Sequence, residues 1–81
     1  AQQVKLRFQN SLAGVVIDRF GRDAMLVPDG AEHFTFTTEI VVSPVFYGWL
    51  EGFGERVEIL FPESVRAEFA AQCRKTLELY K

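Results

Sequence analysis

Val4–Phe8 alternates apolar and basic residues, and His33–Val42 places Phe34, Phe36 and Ile40 on one face with polar residues on the other. A repeat of two residues is the period of a half-buried β-strand. We predict strands at both segments, and shorter strands at Ala24–Val27 and Val57–Phe61. The second and third strands are joined by Pro28–Gly30, where proline presets φ and glycine accepts a positive φ. These two strands should therefore form a hairpin.

Between the strands, the apolar spacing widens to three and four residues, which predicts amphipathic helices. The first helix should begin after Ser11 as its N-cap and end at Gly21. The second should begin at Ser43–Pro44 and end at Gly54, and the third should open at Pro62–Ser64. The apolar stripe of the third helix consists of Val65, Phe69, Cys73, Leu77 and Tyr80.

The resulting order of elements, β-α-β-β-α-β-α, predicts an α+β fold of the ferredoxin-like class. In that class a βαββαβ split sheet is antiparallel and carries two helices on one face, and here an additional C-terminal helix would pack on an edge or on a partner. We expect residues 1–81 to form a single domain of a larger protein, with residues 1–3 as a boundary segment or cloning remnant. Trp49 should lie largely buried against the sheet.

Composition narrows the class of protein further. Hydrophobic residues make up 48% of the chain, which is enough apolar material for a packed core. The net charge of −2 is spread without a basic tail, so strong non-specific binding to duplex nucleic acid is not expected. Cys73 is the single cysteine, which favours a reducing compartment, and no apolar run approaches the length of a membrane span.

Five segments resemble, in their order and spacing, the C-terminal extension (WCX) domain of WYL-domain helix-turn-helix transcriptional regulators. They are VKLRF at Val4–Phe8, VIDRFG at Val16–Gly21, PDG at Pro28–Gly30, FYGWLEGFG at Phe46–Gly54 and VEILFPESVRAEF at Val57–Phe69. The resemblance covers nearly the whole chain, and it implies a ferredoxin-like fold, in agreement with the element order.

The same resemblance implies a module of a bacterial, cytoplasmic regulator that helps to sense an effector and to join subunits. Its expected partners are a WYL core domain and a second subunit, with a nucleotide or a short single-stranded nucleic acid as effector. The 81 residues contain no winged helix, so we do not expect this chain to bind duplex DNA. We expect a homo-oligomer and no cofactor.

Two pairs of basic residues are the candidate effector-binding groups, because ammonium and guanidinium groups suit phosphate oxygens. Lys5 and Arg7 project from the face of the first strand opposite the core. Arg19 and Arg22 lie near the end of the first helix. The alternatives are a solvated strand face for the first pair, and favourable charge at a helix C-terminus for the second.

A small-molecule-binding or enzymatic domain is the alternative function, because this fold hosts many activities. His33 and Cys73 are far apart in sequence and no metal-ligand spacing occurs, so we predict no catalytic residue and no metal site. A third class, an RNA-binding sheet, needs aromatic residues on its open face. The alternation instead directs Phe8, Phe34 and Phe36 towards the helices.

Overall fold

Four strands and three α-helices make up the computed structural model, which describes residues 1–81. The strands are β1 (Gln2–Gln9), β2 (Val27–Asp29), β3 (His33–Ile40) and β4 (Val57–Phe61), and the helices are α1 (Ala13–Phe20), α2 (Pro44–Glu51) and α3 (Glu63–Glu78). Short 3₁₀ turns at Asn10–Leu12 and Gly54–Arg56 precede α1 and β4. The α+β class predicted from the sequence is confirmed.

The sheet has the strand order β2-β3-β1-β4, and every neighbouring pair is antiparallel. β1 is paired on both edges, and its pairing with β3 runs from Gln2, opposite Ile40, to Gln9, opposite His33. β3 ends at Ile40, before the predicted Val42, because its partner β1 has no residue in the strand beyond Gln2. Of the predicted boundary segment, residues 1–3, Gln2 and Gln3 lie in this central strand.

β2 begins three residues later and ends two residues later than predicted, at Val27–Asp29 rather than Ala24–Val27. Pro28 therefore belongs to the strand, which is possible because β2 is an edge strand and its outer side needs no N–H donor. The turn follows at Gly30, whose φ of 73° is the positive value expected there. The side chain of Asn10 donates a hydrogen bond to the carbonyl of Ala31 and holds this turn.

The helix starts agree with the sequence only in part. Ser43 caps α2 as predicted, because its hydroxyl accepts a hydrogen bond of 3.3 Å from the backbone N–H of Phe46. Ser11 does not cap α1, since it lies inside the 3₁₀ turn and makes no capping hydrogen bond. That turn instead places Leu12 in the core.

The core lies between one face of the sheet and the helices, and all twelve of its buried residues are hydrophobic. They are Val4, Leu6, Phe8, Leu12, Val16, Phe34, Phe36, Phe46, Tyr47, Leu50, Ile59 and Val65. Trp49 is only partly buried, contrary to expectation, and packs at the border of this core against the rings of Phe8, Phe20 and Phe53. Phe8, which is fully buried, also stacks on the ring of Phe34.

The apolar stripe of α3 is covered only over its first half. Val65 is buried, and Phe69 and Cys73 are partly buried. Every residue from position 74 onwards is exposed, including Leu77 at 54% and Tyr80 at 82%. The helix therefore extends beyond the body of the domain and carries uncovered apolar side chains with it.

Two phenylalanines in the sheet should differ sharply in their contribution to stability. Phe8 has no solvent exposure, so Phe8→Ala should reduce the free energy of unfolding by about 3–5 kcal/mol. Phe61 is 52% exposed, and Phe61→Ala should cost less than about 1 kcal/mol. Urea unfolding measures both, with Phe8→Leu as an intermediate in case the first variant does not fold. Equal shifts of the two alanine variants would contradict this assignment of the core.

Candidate functional site

A network of charged side chains crosses the face of the sheet opposite the helices, and Arg7 on β1 is its centre. The Nε of Arg7 lies 3.2 Å from Asp29 on β2, and its Nη1 lies 3.9 Å from Glu58 on β4. Its Nη2 donates a hydrogen bond of 3.4 Å to Nδ1 of His33 on β3. This cross-sheet network therefore links all four strands through one guanidinium group.

The outer end of the cross-sheet network is Arg66 on α3. Its Nη1 donates hydrogen bonds of 2.8 Å to Glu58 and of 2.8 Å to the backbone carbonyl of Ile59. The hydrogen bond to Glu58, and then the charge of that carboxylate, raise the pKa of Arg66. Because Ile59 lies on edge strand β4, the contact occupies a carbonyl that could otherwise pair with a foreign strand.

Lys5 lies on the same face of the sheet as Arg7 but outside the cross-sheet network. It is exposed and makes no ion pair. The pairing of β1 with β4 shifts between Lys5 and Leu6, so that Lys5 lies opposite Phe61 while Leu6 lies opposite Ile59. This bulge directs the exposed ring of Phe61 to the open face.

The alternation of apolar and polar residues did not predict that Phe61 lies on the open face. A bulge adds one residue to a strand, and every side chain beyond it then points to the other face. The prediction that Phe8, Phe34 and Phe36 point towards the helices is confirmed, since all three are buried on that side of the sheet. Phe61 is therefore a candidate contact residue that only the strand register shows.

Arg19 lies in the last turn of α1, on the helix side of the sheet, and Arg22 follows just after the C-cap Gly21. The guanidinium carbon of Arg19 lies 5.3 Å from the centre of the Trp49 ring, which is a cation–π contact. Arg22 is exposed and makes no ion pair. The structure therefore separates the four predicted basic residues into two pairs on opposite faces, and they do not form one site.

A cleft of about 390 Å³ lies between the start of α2 and α3. Its lining residues are Val42, Ser43, Pro44, Tyr47, Glu68, Ala71, Gln72 and Lys75. Tyr47 is only 3% exposed, and its hydroxyl donates a hydrogen bond to the carboxylate of Glu68. Burial, followed by the hydrogen bond and charge of Glu68, raises the pKa of Tyr47 to about 12, so the phenol stays neutral and acts as a donor.

The two residues weighed as a nucleophile and its base are held apart. His33 lies on the open face of the sheet, within the cross-sheet network. The Cys73 thiol lies on α3 and donates a hydrogen bond of 3.5 Å to Glu51. Burial, then the hydrogen bond and charge of Glu51, raise the pKa of Cys73, which disfavours the reactive thiolate.

Two further observations concern metals and membranes. The structure places no group of three or more His, Cys, Asp or Glu side chains in a position to hold a metal ion. None of its helices combines the length and the apolar character that a membrane crossing requires.

The raised pKa of Tyr47 predicts a dependence of stability on pH. The folded state keeps the phenol neutral, so the stabilisation is complete below the ordinary pKa of 10.0 and is lost as the pH rises towards about 12. Tyr47→Phe removes the ionisable group and should flatten this part of the decline. Glu68→Gln should reduce the decline as well, because it removes the charge beside the phenol. Urea unfolding at pH values across this range measures the free energy of unfolding. The same dependence on pH in wild type and Tyr47→Phe would contradict the prediction.

The chain matches the family model of the WCX domain over residues 1–77, which include all four strands and nearly all of α3. Comparison with curated proteins gave no match, and comparison with solved structures gave none either. The resemblance carried by the five sequence segments is thus confirmed. The chain belongs to the WCX domain family, which is associated with WYL-type regulators.

Proposed function

We propose that this chain is an effector-sensing and subunit-joining module of a bacterial, cytoplasmic WYL-type transcriptional regulator. The match to the WCX family over residues 1–77 carries this proposal. In such a regulator, another domain reads the operator and the WYL core holds most of the effector. The module takes no catalytic role, in keeping with a protonated Cys73 thiol that lies apart from His33.

We also infer a ferredoxin-like arrangement for the module. The element order up to β4 is βαββαβ, and β1 and β3 are the two inner strands of an antiparallel sheet. The core residues of the sheet and helices lie in one cluster, which leaves the opposite sheet face free for contacts.

The open face offers an effector contact at Lys5 and Phe61. An exposed ammonium group beside an exposed aromatic ring is the combination that binds the phosphate and the base of single-stranded nucleic acids. Arg7, the other residue expected here, is already neutralised by Asp29 and Glu58. Lys5 is therefore the stronger candidate of the first pair, with Arg22 as the candidate at the other face.

A test of the effector contact uses the full-length regulator and short single-stranded oligonucleotides. Lys5→Gln should weaken binding and lower the salt dependence by about one counterion, because one phosphate contact is lost. Phe61→Ala should weaken binding without changing the salt dependence. Lys81→Gln is the matched control, since Lys81 pairs with Glu78 at the far end of α3.

Three outcomes of this titration are informative. Wild-type affinity and salt slope in both test variants would show that the open face is only a solvated surface. Weaker binding in Arg22→Gln alone would move the contact to the end of α1. An equal effect of Lys81→Gln would reveal a general charge effect rather than a site.

The second part of the proposal, subunit joining, is supported by the projecting end of α3. Leu77, Leu79 and Tyr80 are 54%, 78% and 82% exposed within little more than one helical turn. Grouped exposed apolar residues mark contacts between proteins. We propose that this group, the α3 tip (Leu77, Leu79, Tyr80), lies in a contact of the assembled homo-oligomer.

The α3 tip can be tested by its effect on assembly. Leu77→Ser combined with Leu79→Ser should shift sedimentation at high concentration towards the monomer, because the apolar contact is lost. Met25→Ser is the control, since Met25 is 74% exposed but lies before β2, outside the α3 tip. A strictly monomeric wild type, or an equal effect of both sets of substitutions, would contradict the proposed contact.

The cleft favours small-molecule binding as the alternative function. Its volume of about 390 Å³ lies within the range of roughly 300–1,000 Å³ that is usual for ligand sites. The Tyr47–Glu68 pair would supply its polar group. A metabolite that stabilises the wild-type chain but not Tyr47→Phe would support this alternative over the regulatory module.

A further inference from the structure

One face of α3 lines the cleft between the start of α2 and α3. The residues of this cleft face are Glu68, Ala71, Gln72 and Lys75, which follow one another at the helical spacing of three and four. Leu79 continues the spacing four residues beyond Lys75 and is 78% exposed. The cleft face therefore runs from the first half of α3 into the projecting half.

The cleft face carries one acidic and one basic side chain, and neither has an ionic partner. Glu68 and Lys75 are both exposed and make no ion pair. Glu68 accepts the hydrogen bond of the Tyr47 hydroxyl, but that phenol is neutral and leaves the charge of the carboxylate uncompensated. Glu78, the acid next to Lys75 along the helix, is bound by Lys81 instead. Two uncompensated charges of opposite sign thus lie about two helical turns apart on one face.

This order of charges is self-complementary for two copies of the chain. When two identical helices lie antiparallel about a two-fold axis, the residue numbers of facing pairs have a constant sum. If Ala71 of one copy faces Gln72 of the other, then Glu68 of each copy faces Lys75 of the other. A two-fold dimer makes every such contact twice. Each copy therefore supplies the opposite charge that the other lacks.

The edges of the sheet offer a second copy no comparable contact. Arg66 occupies the carbonyl of Ile59 on edge strand β4. Edge strand β2 contains Pro28, which has no N–H to donate. Both features disfavour the addition of a strand from another subunit. The helices are therefore the more suitable surface for assembly.

We propose that two copies of this chain pair antiparallel through the cleft faces of their α3 helices, with Glu68 of each copy bound to Lys75 of the other. The small side chain of Ala71 lies next to the two-fold axis and lets the helices approach closely. In this register, Leu79 of each copy lies opposite Ser64, over the first turn of the other α3. The second copy, rather than a small molecule, then covers the cleft.

This inference rests on the proposed subunit-joining role and names the surface that performs it. Charge reversals in the 81-residue chain test it by sedimentation over a range of concentrations. Lys75→Glu should weaken dimerisation by at least about tenfold, because two attractive contacts become repulsive. Glu68→Lys should weaken it for the same reason. The double variant, Glu68→Lys with Lys75→Glu, exchanges the two signs and should restore the dimer.

An equimolar mixture of the two single variants is the most specific measurement. Each variant repels its own copies, but every facing pair between the two variants carries opposite charges, so the mixture should form heterodimers. A change within one chain cannot produce this rescue. Arg74→Glu is the matched control, because it makes the same change of charge beside Lys75 but Arg74 does not line the cleft. It should leave dimerisation nearly unchanged.

The inference is overturned if Lys75→Glu dimerises as well as wild type, if Arg74→Glu weakens the dimer equally, or if the mixture forms no heterodimer. Lys75 is exposed and unpaired, so Lys75→Glu and its control remain informative if Glu68→Lys does not fold. Failure here is distinguishable from failure of the proposed function. A dimer that Leu77→Ser with Leu79→Ser disrupts, but that the charge reversals do not affect, would retain subunit joining without this pairing. A strictly monomeric wild type would contradict both.

Discussion

Pairing of β1 on both of its edges is the constraint on which the rest of the structure depends. Because β3 and β4 flank it, the alternation of its side chains assigns both faces of the sheet at once. Val4, Leu6 and Phe8 become fully buried beneath the helices, and Lys5 and Arg7 must then point to the open face. A shift of one residue would bury two cations and expose three apolar side chains, so the register is strongly determined.

Elements whose structure follows from local chemistry could be predicted from the sequence. β4 has the predicted bounds, and the hydroxyl of Ser43 caps α2, because each signal lies within a few neighbouring residues. Features that depend on a distant partner could not be predicted. The position of β2 follows from its pairing with β3, and the exposure of Phe61 follows from a bulge against β1. Ser11 was misassigned because a 3₁₀ turn places Leu12 in the core.

Ion pairs between distant residues could not be predicted from the sequence either. The sequence identifies Arg7 as a base on the open face, but it does not show that Asp29, His33 and Glu58 come from three other strands to meet it. These contacts reduce the positive charge that Arg7 offers to a ligand and, at the same time, hold its guanidinium in place. The position of a basic residue outside the network, such as Arg56, could not be predicted from periodicity, because Arg56 lies in a short turn between elements.

α3 combines a structural role and an exposed surface in one element because its two halves have different surroundings. Val65 and Arg66 tie its first turns to the core and to the edge of β4, so the orientation of the helix is determined there. Its second half continues in the same direction at 1.5 Å per residue, and no other element covers it. Leu77 therefore lies on a helical projection, and Tyr80 follows it in a hydrogen-bonded turn after Glu78. Such a projection loses less conformational entropy on contact than a disordered segment would, which suits the subunit contact that we propose for it.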